Sequence, residues 1–352
     1  MGSDPEIAVI VGAYGRTTYV LEAVRSVLDQ TLPRGRWELL VTKNFRDPTV
    51  DGALAREGVE SIYDTTPRIG TWLLRAIRAT RAPLLTLLDD DDLYAPDRLA
   101  HVVDLFRQHP EVGFYRNRVE MVDARGGLAP RGEWHPRGID AFFDARGPIV
   151  VGPADKGTLV DLLFHRTRVS FNSSTMAFRR EVLDGRRGEH FAATRLPDSS
   201  LLLNAVLAPY GLYLDDRRLT RHRLHPGNVT RGTGWLSWAA ESYRGFAAEA
   251  REFHRPDLAA YYDGVGVHYE RLFRSGELTG LVAGGAARRH VAEHAAEYAR
   301  FLGHHPEERA LSLGVWAPEA YAATYLVSPW LARRVQRSRA ERPKVSGPAA
   351  AS

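Results

Sequence analysis

Four consecutive aspartates, Asp89–Asp92, follow the apolar run Leu84–Leu88. Acidic runs are usually solvated faces or tails. One driven against a hydrophobic segment needs neutralising groups near it. Carboxylates are hard oxygen ligands, and two of them can hold Mg²⁺ or Mn²⁺ beside a nucleoside diphosphate. Along a chain still leaving a strand, residues two apart share a side. Asp89 and Asp91 are therefore the candidate metal ligands. Asp90 and Asp92 are expected to face the other way, where one caps the following helix or holds the loop. The competing account is a solvated acidic turn. Its place at the end of an apolar run favours the metal–diphosphate account.

The elements that would position this run can be read from periodicity. Ile7–Val11 is a β-branched run closed by Gly12, which predicts a buried strand. Val20, Leu21, Val24, Val27 and Leu28 have helical spacing and predict a helix over Thr17–Leu28. Strands are expected at Trp37–Thr42, Val59–Asp64, Leu84–Leu88 and Val112–Asp123, with helices over Trp72–Arg81 and Asp97–Gln108. The alternation predicts an α/β fold: a mostly parallel sheet with helices on both faces. Ligands of such sheets bind beyond the carboxyl ends of the strands, where both Tyr14 and the aspartates lie.

Further along, Ala124–Pro153 reads as an irregular excursion or hairpin, Asp155–Thr167 as a helix, and Ser173–Gly185 as a strand running into a helix. Ser199–Gly211 reads as a helix, followed by a strand and a loop. Beyond Trp235 the chain turns Ala-rich with helical spacing. The expected organisation is a catalytic domain over 1–234, a helical extension over 235–338 and a disordered tail over 339–352.

Composition sets outer bounds. The chain has 352 residues, 44% hydrophobic and 26% charged, which is ordinary globular usage. Its 47 Lys+Arg against 43 Asp+Glu leave a formal net charge of +4, too small to argue for nucleic acid. The basic residues are mostly arginine, which suits phosphate. With no cysteine, disulfides and thiolate metal sites are excluded. The N-terminus lacks the basic region of a signal peptide, and no apolar stretch approaches the roughly 20 residues of a membrane span. A cytoplasmic location is expected.

The stretch "IAVIVGAYGRTTYVLEAVRSVLDQTLPRGRWELLVT" resembles the opening of inverting family 2 glycosyltransferases of the GT-A fold. "LLDDDDLYAPDRL" is similar to that family's Leu-Asp-x-Asp-Asp block. "SSTMAFRREVL", "PDSSLLLNAVLAPYG" and "RHRLHPGNVT" resemble three later blocks in the same order, so the resemblance covers roughly residues 7 to 231. It implies a hexosyltransferase that moves a sugar from a nucleoside diphosphate sugar to a hydroxyl of a glycan, a lipid-linked molecule or a small molecule. It also implies that Ala13, Tyr14 and Arg16 lie against the nucleoside, and that Asp89 and Asp90 belong to the donor site. Asp89 and Asp91 would hold the metal, and His225 would reach the metal or diphosphate from a closing loop. A surface turn at Pro226-Gly227-Asn228 is the plainer account of His225. Arg221 and Arg223 are weaker candidates for the same task. Lys43 and Arg68 are candidates for the diphosphate.

The resemblance further implies that Asp198 is the general base, matching the Asp of a Glu-Asp pair. Pro197 stands where that glutamate is usual. A helix-cap role competes for Asp198, and Asp161 and Asp215 are the next candidates for the base. The family's second strand usually ends in an acidic pair whose first member reads uracil. Here Thr42 and Lys43 replace the pair, Asp47 could match a later acid, and a uridine donor is in doubt.

Two other functions compete. A nucleotidyltransferase of similar fold also pairs carboxylates with a metal but carries a Gly-rich basic turn after its first strand. A non-catalytic nucleotide-sugar-binding protein would keep the fold without the chemistry. The segment "YLVSPWLARRVQRSR" sets apolar residues beside arginines, a pattern that suits an interfacial helix on anionic lipid. An amphipathic helix packed on the protein, with a basic tail, is the commoner use. For the extension after Trp235 as a whole, packing on the catalytic domain, a homodimer contact and a membrane contact compete.

Overall fold

The computed structural model describes residues 4–129, 147–157, 169–228 and 234–305, together with Ala322 and Leu326. At its centre is β1 (Ile7–Ala13), flanked in parallel by β2 (Trp37–Lys43) and β4 (Leu84–Asp89). β3 (Glu60–Tyr63) extends the parallel side beyond β2. On the other side β4 pairs antiparallel with β8 (Met176–Arg179), which pairs antiparallel with β6 (Val112–Val122). β9 (Gly211–Arg223) lies parallel to β6, with β5 (Leu93–Tyr94) and β7 (Ile149–Val151) antiparallel to it. β1, β2, β3, β4, β6 and β9 thus share one direction, and β5, β7 and β8 oppose it.

Central parallel strands are covered on both faces, so they read as continuous apolar runs and not as alternation. On one face Ile7, Val9, Val11 and Ala13 pack with Val20, Ala23, Val24 and Val27 of α1 (Val20–Leu28) and with Leu99, Val102, Val103 and Phe106 of α4 (Arg98–Gln108). On the other face Gly12 meets the Trp72 ring of α3 (Ile69–Ala79); a Cβ there would stand 3.2 Å from it. Each aliphatic side chain removed from water in these layers contributes about 1.5–3 kcal/mol.

The sequence reading missed α2 (Pro48–Arg56). Asp47 caps it, accepting from Thr49 N–H (2.9 Å) and Val50 N–H (3.0 Å), with Pro48 in the first turn. Both bonds end on Asp47 Oδ1, so the cap role engages one of its two carboxylate oxygens. The helix predicted from Thr17 begins at Val20, and α3 lies two to three residues earlier than predicted. α5 (Arg186–Ala193) follows β8 after a 3₁₀ turn, and α6 (Pro197–Leu207) includes Asp198 in its first turn. The helix expected over Asp155–Thr167 lies, beyond Gly157, outside the described residues, as does Asp161.

Helices α7 (Trp235–Glu252), α8 (Pro256–Ala283) and α9 (Arg288–His304) complete the described chain. Two compact units result, Met1–Asn228 with Gly245–Ala259, and Val229–Arg244 with Ala260–Ser352. In the first, Glu252 pairs with Arg186 (2.8 Å) and His190 (2.9 Å) of α5. The second has its own core of Leu278, Val282, Val291, Tyr298 and Leu302. Among the described residues no helix is long and apolar enough to cross a membrane. The arginine-rich segment considered for lipid contact lies outside the described residues, apart from Leu326.

Candidate active site

The aspartates do not alternate. After β4 the chain turns, and Asp92 N–H donates to the Asp89 carbonyl (3.2 Å). That turn regroups the carboxylates as Asp89 with Asp92 and Asp90 with Asp91, in place of the predicted Asp89 with Asp91.

Asp89 and Asp92 meet a polar 3₁₀ turn that leads into β8. Asp89 accepts from Ser173 Oγ (2.8 Å), and its own N–H donates to Ser174 Oγ (3.0 Å). Asn172 Nδ2 donates to Asp92 (2.6 Å) and lies 3.4 Å from Asp89. Asp92 is fully buried and also accepts from His222 Nδ1 (2.9 Å) and Arg223 N–H (3.1 Å). Burial and the neighbouring Asp92 and Asp91 push the Asp89 carboxyl up to about 8. Burial also opposes ionisation of Asp92, but the charge and hydrogen bond of His222 outweigh it and hold the group below the ordinary carboxylate range. His222 is raised in turn: burial opposes its charge, and Asp92 prevails.

Asp90 and Asp91 face Arg16. Its guanidinium hydrogen-bonds Asp90, reaches Asp91 Oδ2 (2.9 Å) and donates to the Gly227 carbonyl (3.1 Å). Burial and Asp91 push Asp90 up to about 6 against this cation. Asp91 Oδ2 also receives His225 Nε2 (2.9 Å) and Asn228 Nδ2 (3.4 Å). Gly227 N–H donates to His225 Nδ1 (3.1 Å), which assigns the ring proton to Nε2, facing Asp91. The opening acidic run thus meets the cation Arg16 and His222 and accepts a hydrogen bond from His225, which are supplied by the β1 loop, β9 and the loop after β9.

The β1 loop has a second face. Tyr14 is 41% exposed and lies parallel to Trp72, with ring centroids 6.4 Å apart. Ala13 is buried, and its carbonyl accepts from Asn44 N–H (3.3 Å). Gly15 donates to Asn44 Oδ1 (2.6 Å) at φ +68°, a left-handed conformation that favours glycine. Tyr14 and Arg16 are therefore presented together at the carboxyl end of β1.

Lys43 departs from the expectation. Its ammonium is buried, paired with Asp51 of α2 (2.8 Å) and bonded to the Phe45 carbonyl (3.0 Å), which leaves it no open face for a diphosphate. Arg68 donates to the Ala193 carbonyl (2.7 Å). Exposed Arg221 pairs with Glu120 (3.0 Å). Arg223 is buried between the Asp91 carbonyl (3.0 Å) and Glu22 (2.7 Å), where it supports the turn from behind. Asp215 is taken by His101 (2.6 Å), Tyr115 (2.8 Å) and Arg217 N–H (3.1 Å), a structural role.

Asp198 stands apart from the aspartate turn; among the described residues no hydrogen bond joins them. Its carboxyl accepts from Ser199 N–H (2.7 Å), and burial pushes it up to about 6. The loop before it is tied to the start of α3. Gly70 N–H donates to Thr194 O (3.1 Å), and Thr71 Oγ1 to Ala192 O (2.8 Å). α3 is the helix that places Trp72 under Tyr14, so Asp198 and the β1 loop share one scaffold.

Sequence reasoning missed Asn172, Ser173, Ser174, His222 and Trp72. The run Asn172–Thr175, polar and directly before an apolar strand, was the one signal for the first three; His222 gave none.

The glycosyl transferase family 2 model matches residues 8–184. A beta-monoglucosyldiacylglycerol synthase of Trichormus variabilis is 25% identical over 151 residues, 40% of this chain but only 32% of that protein. Among solved structures, S. aureus TarS 1-349 in complex with UDP-GlcNAc superposes with a TM-score of 0.56 at 16% identity, covering 95% of this chain and 92% of that one. Mannosyltransferase PcManGT from Pyrobaculum calidifontis, in complex with GDP-Man and Mn²⁺, gives 0.51 at 16% identity, with coverages of 97% and 89%. At such identities the superpositions speak for the fold, which is of GT-A type. The family match runs over half of the chain and decides against the nucleotidyltransferase alternative. The chain belongs to glycosyl transferase family 2 and is an enzyme of glycosyltransferase type.

Proposed function

We propose that this chain transfers a hexosyl group from a nucleoside diphosphate sugar to an acceptor hydroxyl, with inversion and with the aid of Mn²⁺ or Mg²⁺. The observation that carries this reading is the pair Asp91 and His225, 2.9 Å apart at the carboxyl end of β4. Adjacent ligands about 2.1 Å from one ion are about 3 Å apart, so type and spacing fit. Among the described residues no three His, Asp or Glu groups could hold a metal together. A cation here would complete its shell with diphosphate oxygens and water, as hard ions do in phosphate sites. Bound there, it would supply Lewis-acid neutralisation of the leaving diphosphate.

The remaining chemistry belongs to side chains. The acceptor oxygen forms its bond to the anomeric carbon while the bond to the diphosphate oxygen breaks and takes the electron pair. Asp198 receives the acceptor proton on the opposite face. A carboxyl near 6 suits that work at neutral pH, ionised yet more basic than an ordinary aspartate. Tyr14 on Trp72 offers a flat wall for a nucleobase. Asp47 caps α2 and Lys43 is paired to Asp51, so this reading gives neither of them the uracil. The similar folds were solved with a uridine and a guanosine donor, so both bases belong in the test. The curated relative is named for a glucosyldiacylglycerol, which puts lipid hydroxyls beside glycans and small molecules among acceptors. Residues 1–234 are assigned to donor binding and catalysis, and 235–338 to a helical extension.

A panel of UDP-, GDP- and TDP-sugars with Mn²⁺, Mg²⁺ or excess chelator, read as released nucleoside diphosphate, tests the proposal. Release that depends on metal is expected. Full turnover in chelator would remove the metal from the mechanism.

A further inference from the structure

We propose that Arg16 is a resident cation on Asp91, and that a divalent metal enters the site by exchange with it. This rests on the reading of Asp91 as a metal ligand. One oxygen, Asp91 Oδ2, receives Arg16 (2.9 Å), His225 (2.9 Å) and Asn228 (3.4 Å). A carboxylate oxygen has about two lone-pair positions, so this one is full. An ion that takes this oxygen must displace a donor.

The three donors are not equally able to leave. Asn228 is held at both ends of its amide, donating to the Arg223 carbonyl (3.1 Å) and accepting from His225 N–H (2.7 Å). The His225 ring is fixed by Gly227 N–H (3.1 Å) and lies against Tyr19, with centroids 5.0 Å apart. Arg16 carries a full charge on a long stem, and its side chain keeps 26% of its exposure. A second cation on the same oxygen repels it directly. A departing guanidinium would have a destination as well. The donor diphosphate presents paired oxygens that match its fork.

The exchange also reaches the loop. Arg16 donates to the Gly227 carbonyl (3.1 Å) and so pins the His225 loop onto the aspartate turn. His225 can ligate through Nε2 only after its proton moves to Nδ1, which now accepts from Gly227 N–H. The carbonyl that Arg16 holds belongs to the Gly227–Asn228 peptide, and the N–H on Nδ1 to the Pro226–Gly227 peptide, so departure of Arg16 frees the residue that joins the two. Metal entry and release of the loop become one event, with Arg16 as the positioning residue.

The test is Mn²⁺ binding to the full chain without donor, by calorimetry, in wild type, Arg16→Gln, Arg16→Lys and Asp91→Asn. Arg16→Gln should bind Mn²⁺ at least tenfold tighter than wild type, and Arg16→Lys should stay within about threefold of it. Binding that depends on Asp91 yet is equal or weaker in Arg16→Gln would overturn the exchange and leave the metal site standing. Binding insensitive to Asp91→Asn would overturn the metal site and the exchange together. If Arg16→Gln does not fold, the wild type decides. Its Arg16 Nε resonance, assigned by its loss in Arg16→Lys, should shift on Mg²⁺ titration. An unmoved resonance at saturation would overturn the proposal.

Discussion

Asn172 Nδ2 stands between a buried and a half-buried carboxylate, 2.6 Å from Asp92 and 3.4 Å from Asp89. Two adjacent acids drawn out of water cannot both ionise cheaply. The protein separates them: Asp92 takes the charged partner His222 and stays ionised, while Asp89 is pushed up to about 8. Removing the amide leaves both without that donor. Asn172→Ala should therefore lower stability by about 1–3 kcal/mol, the usual effect of stripping a partner from a buried polar group. Urea unfolding would measure it, and an unchanged midpoint would show that solvent replaces the amide.

Asp47 offers a cleaner separation of structure from recognition. As the cap of α2 it accepts two backbone N–H groups, and Asp47→Ala should cost about 0.5–2 kcal/mol. Asp47→Asn should be nearly neutral, because asparagine caps as well. Neither should alter relative affinity for UDP and GDP by calorimetry. A uridine preference lost in either variant would return Asp47 to the nucleobase.

Glu249 gives a pH prediction away from the metal. It is 1% exposed, and burial, with Glu252 adding to it, pushes its carboxyl up to about 8. A folded value above the unfolded one means stability present below about pH 4 and lost as pH rises through about 8. Glu249→Gln carries no such charge. It should flatten the fall in melting temperature between about pH 5 and 9 and exceed wild type at the alkaline end. A tenfold difference in proton affinity between folded and unfolded chain is worth about 1.4 kcal/mol, so the gain is on the order of a few kcal/mol. Parallel curves for the two proteins would assign the slope elsewhere.

What could be read in advance follows from the range of the interactions. β1 and β4 were legible because burial on both faces leaves an unbroken apolar run. The aspartates were legible as a site because charge at such a strand end is unusual. Their grouping was not, because one backbone bond from Asp92 N–H to Asp89 O breaks the alternation. α2 was hidden by Gly52 at its centre, although Asp47-Pro48 marked its start. Lys43 was misjudged because its partner, Asp51, sits on that unrecognised helix. Asn172 and His222 meet Asp92 from far along the chain, Asn172 across 80 positions and His222 across more, and no local pattern carries that information.

Asp198 separates catalysis from capping most sharply. The residue lies in the first turn of α6, beyond Leu196 at the cap position, and its carboxyl accepts from the neighbouring Ser199 N–H. A base must be ionised to accept the acceptor proton. Since burial raises its value to about 6, transfer should fall below that pH with a midpoint near it. Asp198→Asn keeps the shape and the backbone hydrogen bond but cannot take the proton. It should lower transfer about 10²–10⁴-fold, leave donor affinity near wild type and remove the acid limb. Asp90, also near 6, is the alternative source of that limb, so Asp90→Asn serves as the control and should retain it. A purely structural Asp198 predicts the reverse, since asparagine serves a helix start equally well. Transfer by Asp198→Asn within about threefold of wild type, with the acid limb intact, would move the proton to another group.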